Sequence, residues 1–365
     1  MSDMPAALGP ALFSASFKVL AADFRVDEVL GIEPDGAGEH WLLQIEKTAT
    51  NTDEVASLLE STCSANSADV GLSGMKDRHA VTTQWFSVRS PVPREQIEQA
   101  LQTFNEQQTA SAAASGGKQL RLLQAARHSR KLRRGTHSAN AFVIILRDLN
   151  ALAELDDADL ASRVKQRLEQ IRQCGFPNYI GPQRFGRGGQ NLVRARQWFR
   201  QPKKRTSRQQ RSLWLSAARS ELFNRVCAAR VENDNWQQLL AGEPAALAGS
   251  RSFFDSETES AEDLAARLSR FDIHPSAPWW GRGRTLASST CAQFEESVLS
   301  NAADLCAGLE RSGLPQERRA LRACATDLQH EWLDARTLQL AFHLSPGVFA
   351  TTLLRELGLC AEPER

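Results

Sequence analysis

The order of texture along the chain predicts an α+β fold: a mixed or antiparallel sheet interrupted by a long α/β insertion. Three observations predict it. Strand-like runs dominate the chain up to Arg147. Residues from about 175 to 320 change to helical periodicity and Gly/Arg loops. Strand texture then returns at residues 337–344, where Leu338, Leu340, Phe342 and Leu344 share one face. A late strand with one apolar face has nowhere to pair unless the chain rejoins its first sheet. A discontinuous domain is therefore expected, residues 1–174 with 321–365, enclosing an insertion at 175–320. With 365 residues, 42% hydrophobic and 24% charged, the chain is long enough for two cores.

Taken in order, residues 17–20 and 25–30 read as short strands around Ala21, Ala22, Asp23 and Phe24. Pro34-Asp35-Gly36 and Gly38 mark a turn. Residues 41–47 alternate Trp41, Leu43 and Ile45 with polar partners, the pattern of a half-buried strand. Asn51 or Thr52 can cap a helix whose face carries Val55, Leu58 and Leu59. The run 81–88 is rich in β-formers, and a strand is expected over 85–89. Pro93 suits a helix start, and Ile97, Ala100, Leu101 and Phe104 follow at amphipathic spacing. Residues 107–118, rich in Ala, Ser, Gln and Gly, read as a loop.

The apolar run at 141–147 has strand length. Leu160, Val164, Leu168 and Ile171 mark a helix ending near Gly175 and Pro177. Another helix is expected over 213–230, and a last one over 349–357 with Gly358 as its stop.

Composition removes several function classes. No basic region precedes an apolar run at the N-terminus, and no uncharged apolar stretch is long enough to span a bilayer, so a soluble, cytoplasmic protein is expected. Seven cysteines without a C-x-x-C pair fit neither a disulfide framework nor a zinc site. Gly186-Arg187-Gly188-Gly189-Gln190-Asn191 has neither dinucleotide-fingerprint spacing nor the Lys-Ser/Thr of a P-loop. H-E-x-x-H and G-x-S-x-G are absent from the sequence. No metal and no cofactor are expected.

The net charge of +1 hides strong segregation. Residues 127–137 carry five Arg or Lys, two His and no acid; residues 200–211 carry six basic residues and no acid. Acidic stretches stand at 154–159 and 255–263. Such basic segments suit a phosphate-backbone partner; the plainer alternative is a solvated positive face.

The chemistry centres on residues 71–88, GLSGMKDRHAVTTQWFSV. Gly71 and Gly74 bracket a bend, and Lys76, Arg78 and His79 surround Asp77 just ahead of a strand. Nearby positive charge favours an ionised carboxylate. An ionised Asp at a strand mouth can serve as a nucleophile or a base, or it can merely cap the turn.

Long strings in the chain resemble the TruD family of tRNA pseudouridine synthases over nearly the whole length. They are Phe17-Lys18 through Asp23-Phe24-Arg25-Val26, GLSGMKDRHAVTTQWF at 71–86, ARHSRKLRRG through Asn140-Ala141-Phe142, FPNYIGPQRFGRGGQN at 176–191, and SPGVFATTLLRE at 345–356. Departures fall in spacers, mainly the loop at 107–118.

The resemblance implies a pseudouridine synthase catalytic domain carrying a family-specific insertion, and isomerisation of uridine at position 13 of tRNA, chiefly tRNA(Glu), by a cofactor-free monomer. Asp77 matches the catalytic aspartate, and Lys18 falls where its basic partner is expected. Phe24, Asn140 and Phe349 match positions lining the uridine site. Phe142 takes the place of the tyrosine that other pseudouridine synthases put beneath the base.

The only tyrosine, Tyr179, lies in the expected insertion. The plainer reading of each Phe is core packing, strongest for Phe142 inside an apolar strand; Phe24, flanked by charge, is the better candidate for an exposed stacking face. Arg130, Lys131, Arg133 and Arg134, with Lys203, Lys204 and Arg205, are expected on the RNA backbone. A non-catalytic RNA-binding protein on the same scaffold is the rival reading.

Overall fold

The strand texture at the two ends of the chain joins into one ten-stranded sheet in this computed structural model, which describes residues 4–111, 117–152, 156–201 and 206–363. Its strands are β1 (Phe13–Phe17), β2 (Phe24–Leu30), β3 (His40–Thr48), β4 (Val70–Leu72), β5 (Val81–Arg89), β6 (Gln119–His128), β7 (His137–Ala151), β8 (Ala325–Asp334), β9 (Thr337–Leu344) and β10 (Gly358–Ala361). The order across the sheet is β8-β9-β7-β2-β5-β3-β6, with β4 on β5, and β1 on both β7 and β10.

The ladders along this order are antiparallel except one: β2 and β5 run parallel, with Arg25 opposite Val81. Parallel neighbours start at the same end of a sheet. The segments leading into β2 and β5, which hold Lys18 and Asp77, are brought together by that pairing.

Strand alternation divides the side chains between two faces. Leu338, Leu340, Phe342 and Leu344 of β9 are all at most 2% exposed and lie opposite Leu146, Ile144, Phe142 and Asn140 of β7. The late strand thus finds the sheet its apolar face requires. Helices α1 (Thr52–Thr62) and α2 (Arg94–Ser111) cover the β3–β5 part, where Val55, Leu59, Ile97 and Leu101 pack with Leu43, Ile45, Phe86 and Val88. Each such side chain contributes about 1.5–3 kcal/mol on burial.

Several boundaries differ from expectation. The first strand is Phe13–Phe17 rather than 17–20, because Lys18 takes a left-handed backbone (φ 56°) that ends it. Helix α2 reaches Ser111, so only part of the expected loop at 107–118 is described, and residues 112–116 lie outside the described residues. Strands β6 and β8 were not expected; both sit at the sheet edges, with weak apolar alternation. Gly358 is extended (φ −164°) and opens β10 instead of forming a left-handed stop.

The chain falls into two compact units. One carries the sheet: residues 13–158, 325–347 and 359 onward. The other takes residues up to Leu12 together with 159–324 and 348–358, so the stretch 175–320 lies wholly within it. Its helices are α3 (Asp157–Cys174, from its third residue onward), α4 (Gln190–Arg200), α5 (Arg208–Glu232), α6 (Ala261–Ser269), α7 (Ser289–Leu299), α8 (Ala303–Arg311) and α9 (Ala350–Leu357).

The core of this second unit forms around Leu222, Phe223 and Val226 of α5 with Phe199, Leu305 and Leu309. It also holds two buried ion pairs, Arg230–Glu243 at 2.7 Å and Arg318–Glu295 at 2.6 Å. Tyr179 is fully buried there and donates its hydroxyl to the Pro5 carbonyl at 3.1 Å.

All seven cysteines are free thiols. Among the described residues, no helix is long and apolar enough to cross a membrane, and no group of three His, Cys, Asp or Glu is placed to hold a metal ion.

Candidate active site

Asp77 sits on the loop between β4 and β5, its side chain 33% exposed. Lys18 Nζ donates to Asp77 Oδ2 at 2.7 Å and to Glu362 Oε1 at 3.0 Å, while the lysine itself is 1% exposed. The ammonium also lies 4.4 Å from the centroid of the Phe24 ring, a cation–π distance. One buried cation thus serves two carboxylates that reach solvent.

The loop around Asp77 is held at Gly74, Lys76 and Asp77. Gln84 Nε2 donates to the Gly74 carbonyl at 2.5 Å, and Thr52 Oγ1 accepts from the Lys76 amide at 3.2 Å while donating to Gln84 Oε1 at 3.0 Å. Lys76 Nζ pairs with the buried carboxylate of Glu28, whose other oxygen accepts from the Trp85 amide at 3.2 Å. Lys47 Nζ donates to the carbonyls of Thr50 (2.8 Å) and of Asp77 itself (3.1 Å). Pre-positioned in this way, a reactive carboxylate needs little reorganisation when substrate arrives.

Lys47, Thr52, Gln84, Glu28 and Glu362 were not among the expected site residues. Two of them carried a signal. Glu28 continues the inward phase of Phe24 and Val26, and Lys47 that of Leu43 and Ile45. A charge on the apolar face of a strand must find a partner.

Beside this loop an aromatic row crosses β1, β2, β7 and β9. Phe17 lies 6.2 Å from Phe24, Phe24 lies edge-on to Phe142 at 6.0 Å, and Phe142 stacks on Phe342 at 5.4 Å and 22°. Phe24 is 5% exposed and Phe142 8%, so Phe24 is not the open stacking face that its charged neighbours suggested. Strand alternation explains this: Arg25 points to the other face, and Asp23 is drawn into an ion pair with Arg147 at 2.7 Å. Asn140 stands opposite Glu28 on the same face, 9% exposed, and among the described residues its Oδ1 meets no hydrogen-bond donor.

Phe349 belongs to the other compact unit, where it precedes the first turn of α9 and its ring lies 3.0 Å from the point a Cβ on Gly181 would occupy.

The basic segment closes against the start of the loop that carries Asp77. Leu132 is buried and its amide donates to Ser87 Oγ at 2.9 Å, leaving Arg130, Lys131, Arg133 and Arg134 exposed around it. Gly71 is required for that approach, since a Cβ there would come within 2.5 Å of the Leu132 carbonyl oxygen. Ser73 completes the clasp. Its carbonyl accepts from the Gly135 amide at 2.8 Å, and its Oγ lies 2.7 Å from both the amide and Nδ1 of His137. Burial pushes the His137 imidazole below its ordinary value. Lys203, Lys204 and Arg205 lie outside the described residues, as does Glu154 of the first acidic stretch.

Comparison with known proteins shows the family. The family model described as tRNA pseudouridine synthase D (TruD) matches residues 13–194 and 189–357. A tRNA pseudouridine synthase D of Methylococcus capsulatus is 42% identical over 355 residues, covering 97% of this chain and 94% of the relative. One from Xanthomonas campestris pv. campestris (strain 8004) is 43% identical over 381 residues, covering 100% and 98%. A crystal structure from Methanosarcina mazei, described as a tRNA pseudouridine synthase D, has the same fold at TM-score 0.68 with 17% identity, covering 96% of this chain and 95% of its own.

These matches define the class, an isomerase that makes pseudouridine in RNA. Within it, the chain belongs to the tRNA pseudouridine synthase D (TruD) family.

Proposed function

We propose that the protein isomerises uridine to pseudouridine at position 13 of tRNA, chiefly tRNA(Glu), with Asp77 as the catalytic carboxylate. The observation that carries this reading is the 2.7 Å ion pair between Asp77 and a fully buried Lys18, on a loop held by Gln84, Thr52, Glu28 and Lys47. The target nucleotide leaves the RNA stack before its glycosidic bond can be reached. Asp77 then attacks the ribose or removes a ribose proton, and the C1′–N1 bond breaks with its electron pair on N1. The uracil turns in place and C5 bonds to C1′ as the Asp77 carboxylate leaves C1′ or, on the other route, as the proton it took returns to the ribose; C5 then loses its proton and N1 takes one up.

Lys18 balances the charge of Asp77. Phe24 and Phe142 give the base an apolar surround, supported by the aromatic row, and Phe349 is carried over as a uridine-site residue by the family resemblance alone. Asn140 accepts a hydrogen bond from the base or ribose, supported by its Oδ1, which meets no donor among the described residues. The clusters Arg130, Lys131, Arg133, Arg134 and Lys203, Lys204, Arg205 hold the RNA backbone. The enzyme works as a cytoplasmic monomer without metal or cofactor.

The deciding test maps pseudouridine in tRNA from cells with and without the protein, then assays purified wild type and Asp77→Asn in single turnover on tRNA(Glu). The site-13 modification is expected to vanish without the protein, and Asp77→Asn to lose turnover while binding tRNA within a few-fold of the parent. Near wild-type turnover by Asp77→Asn would move the chemistry to another group.

A further inference from the structure

We propose that Lys47 is a positioning residue for Asp77, its ammonium fixing the backbone of the catalytic residue in the charged form required for full turnover. The proposal rests on the reading of Asp77 as the catalytic carboxylate. Its own ground is geometric. Lys47 lies on β3 in the inward phase, 1% exposed, flanked across the sheet by Thr82 of β5 and Leu120 of β6. Its Nζ donates to two main-chain carbonyls, of Thr50 at 2.8 Å and of Asp77 at 3.1 Å. Lys18 takes the other side of the same residue, at its carboxylate. Asp77 is therefore gripped by one lysine at its backbone and by another at its reactive oxygen.

Burying an ammonium is costly, and a fold that needed only a filled space would place an apolar chain there. The charged groups facing Lys47 are Asp77 and Lys76 from the loop and Glu54 from α1. Glu54 is itself paired with Lys118, and Lys76 with Glu28. Burial pushes the Lys47 ammonium down to about 8. It is therefore charged at neutral pH and loses its proton as pH rises through that value. A hydrogen bond from a charged donor is roughly twice as strong as one from a neutral donor. The grip on the Asp77 carbonyl weakens accordingly.

The sign of the linked stability runs the other way. A lysine depressed in the folded state leaves the unfolded chain binding more protons between about 8 and the ordinary value, so stability rises with pH there. A rate that falls on the alkaline side is then not explained by loss of this lysine's contribution to folding. That separates a positioning role from a merely structural one.

The experiment measures single-turnover rate at saturating tRNA, tRNA affinity and thermal midpoint for wild type, Lys47→Met, Lys47→Arg and Asp77→Asn, from about pH 6 to about pH 9.5. Wild type is expected to lose rate with a one-proton profile centred near 8 while its thermal midpoint holds. Lys47→Met should be slower by about ten- to a hundredfold at neutral pH with a flat profile and affinity within a few-fold. Lys47→Arg, which stays charged, should keep most of the neutral-pH rate and extend the plateau beyond the wild-type limb.

A flat wild-type profile overturns the proposal even if neither variant folds. So does wild-type speed in Lys47→Met. An unchanged limb in Lys47→Arg assigns the titration to the substrate base or to another side chain. Should Asp77→Asn turn over normally, it is the reading of Asp77 that fails; lost turnover in Asp77→Asn beside wild-type speed in Lys47→Met overturns the Lys47 proposal alone.

Discussion

Glu28 and Lys76 form an ion pair whose carboxylate is fully buried and whose ammonium is only 6% exposed. Removing one partner strands the other charge. Glu28→Gln is expected to cost about 3–5 kcal/mol in urea unfolding of the sheet unit, and adding Lys76→Met should recover much of it, because the pair then vanishes together. Catalysis should not recover, since Lys76 adjoins Asp77. A Glu28→Gln loss under about 1 kcal/mol would show that water reaches the pair. Residues of this kind were the least legible part of the site. Asp77 stood out because three basic side chains surround it in sequence, and Lys18 through family resemblance. Glu28, Lys47 and Gln84 are separated from Asp77 along the chain, and only the inward phase of the first two marked them at all.

Elements with two-sided constraints were legible, and edges were not. β3, α1 and β9 declared themselves because each must bury one face against a neighbour, so the apolar period survives in the residues. β6 and β8 pair on one side only and need no such pattern, which is why Gln119–His128 carried no clear strand signal.

The junction of β7 with the Asp77 loop gives a pH prediction. His137 is held neutral by burial, against Ser73, with Glu28 raising and Lys76 lowering its titration. A depressed histidine leaves the unfolded chain binding more protons on the acid side, so its share of stability is present above about 6.5 and lost as pH falls below. The denaturant midpoint of wild type should drop between about pH 7 and about pH 5 more steeply than that of His137→Gln, which can still bond Ser73. Parallel curves would assign the acid loss elsewhere, with His274, depressed to about 4, as the next group to test.

For the whole molecule, net charge +1 conceals two basic segments with different expected tasks. Neutralising Arg130, Lys131, Arg133 and Arg134, which close on the loop leading to Asp77, should lower both tRNA affinity and saturated turnover. Neutralising Lys203, Lys204 and Arg205 should weaken affinity with little change in saturated turnover, because phosphate contacts position without acting on the base. Every phosphate that goes unneutralised should flatten the log–log salt dependence of binding by roughly 0.7–0.9. Salt titrations on the two variants, paired with single-turnover rates, check this; unchanged slopes in both would remove the electrostatic footprint.

The pairing of β7 with β9 also sets a timetable for synthesis. β7 ends at Ala151 and its partner begins only at Thr337, about 185 residues later. At about 5–20 residues per second, a ribosome takes on the order of 10–40 s to deliver that partner. Throughout that interval the nascent chain holds a strand bearing Phe142, Ile144 and Leu146 without the neighbour that later covers its edge. A chain-binding chaperone therefore has a defined window in which to act, and it closes when β9 emerges.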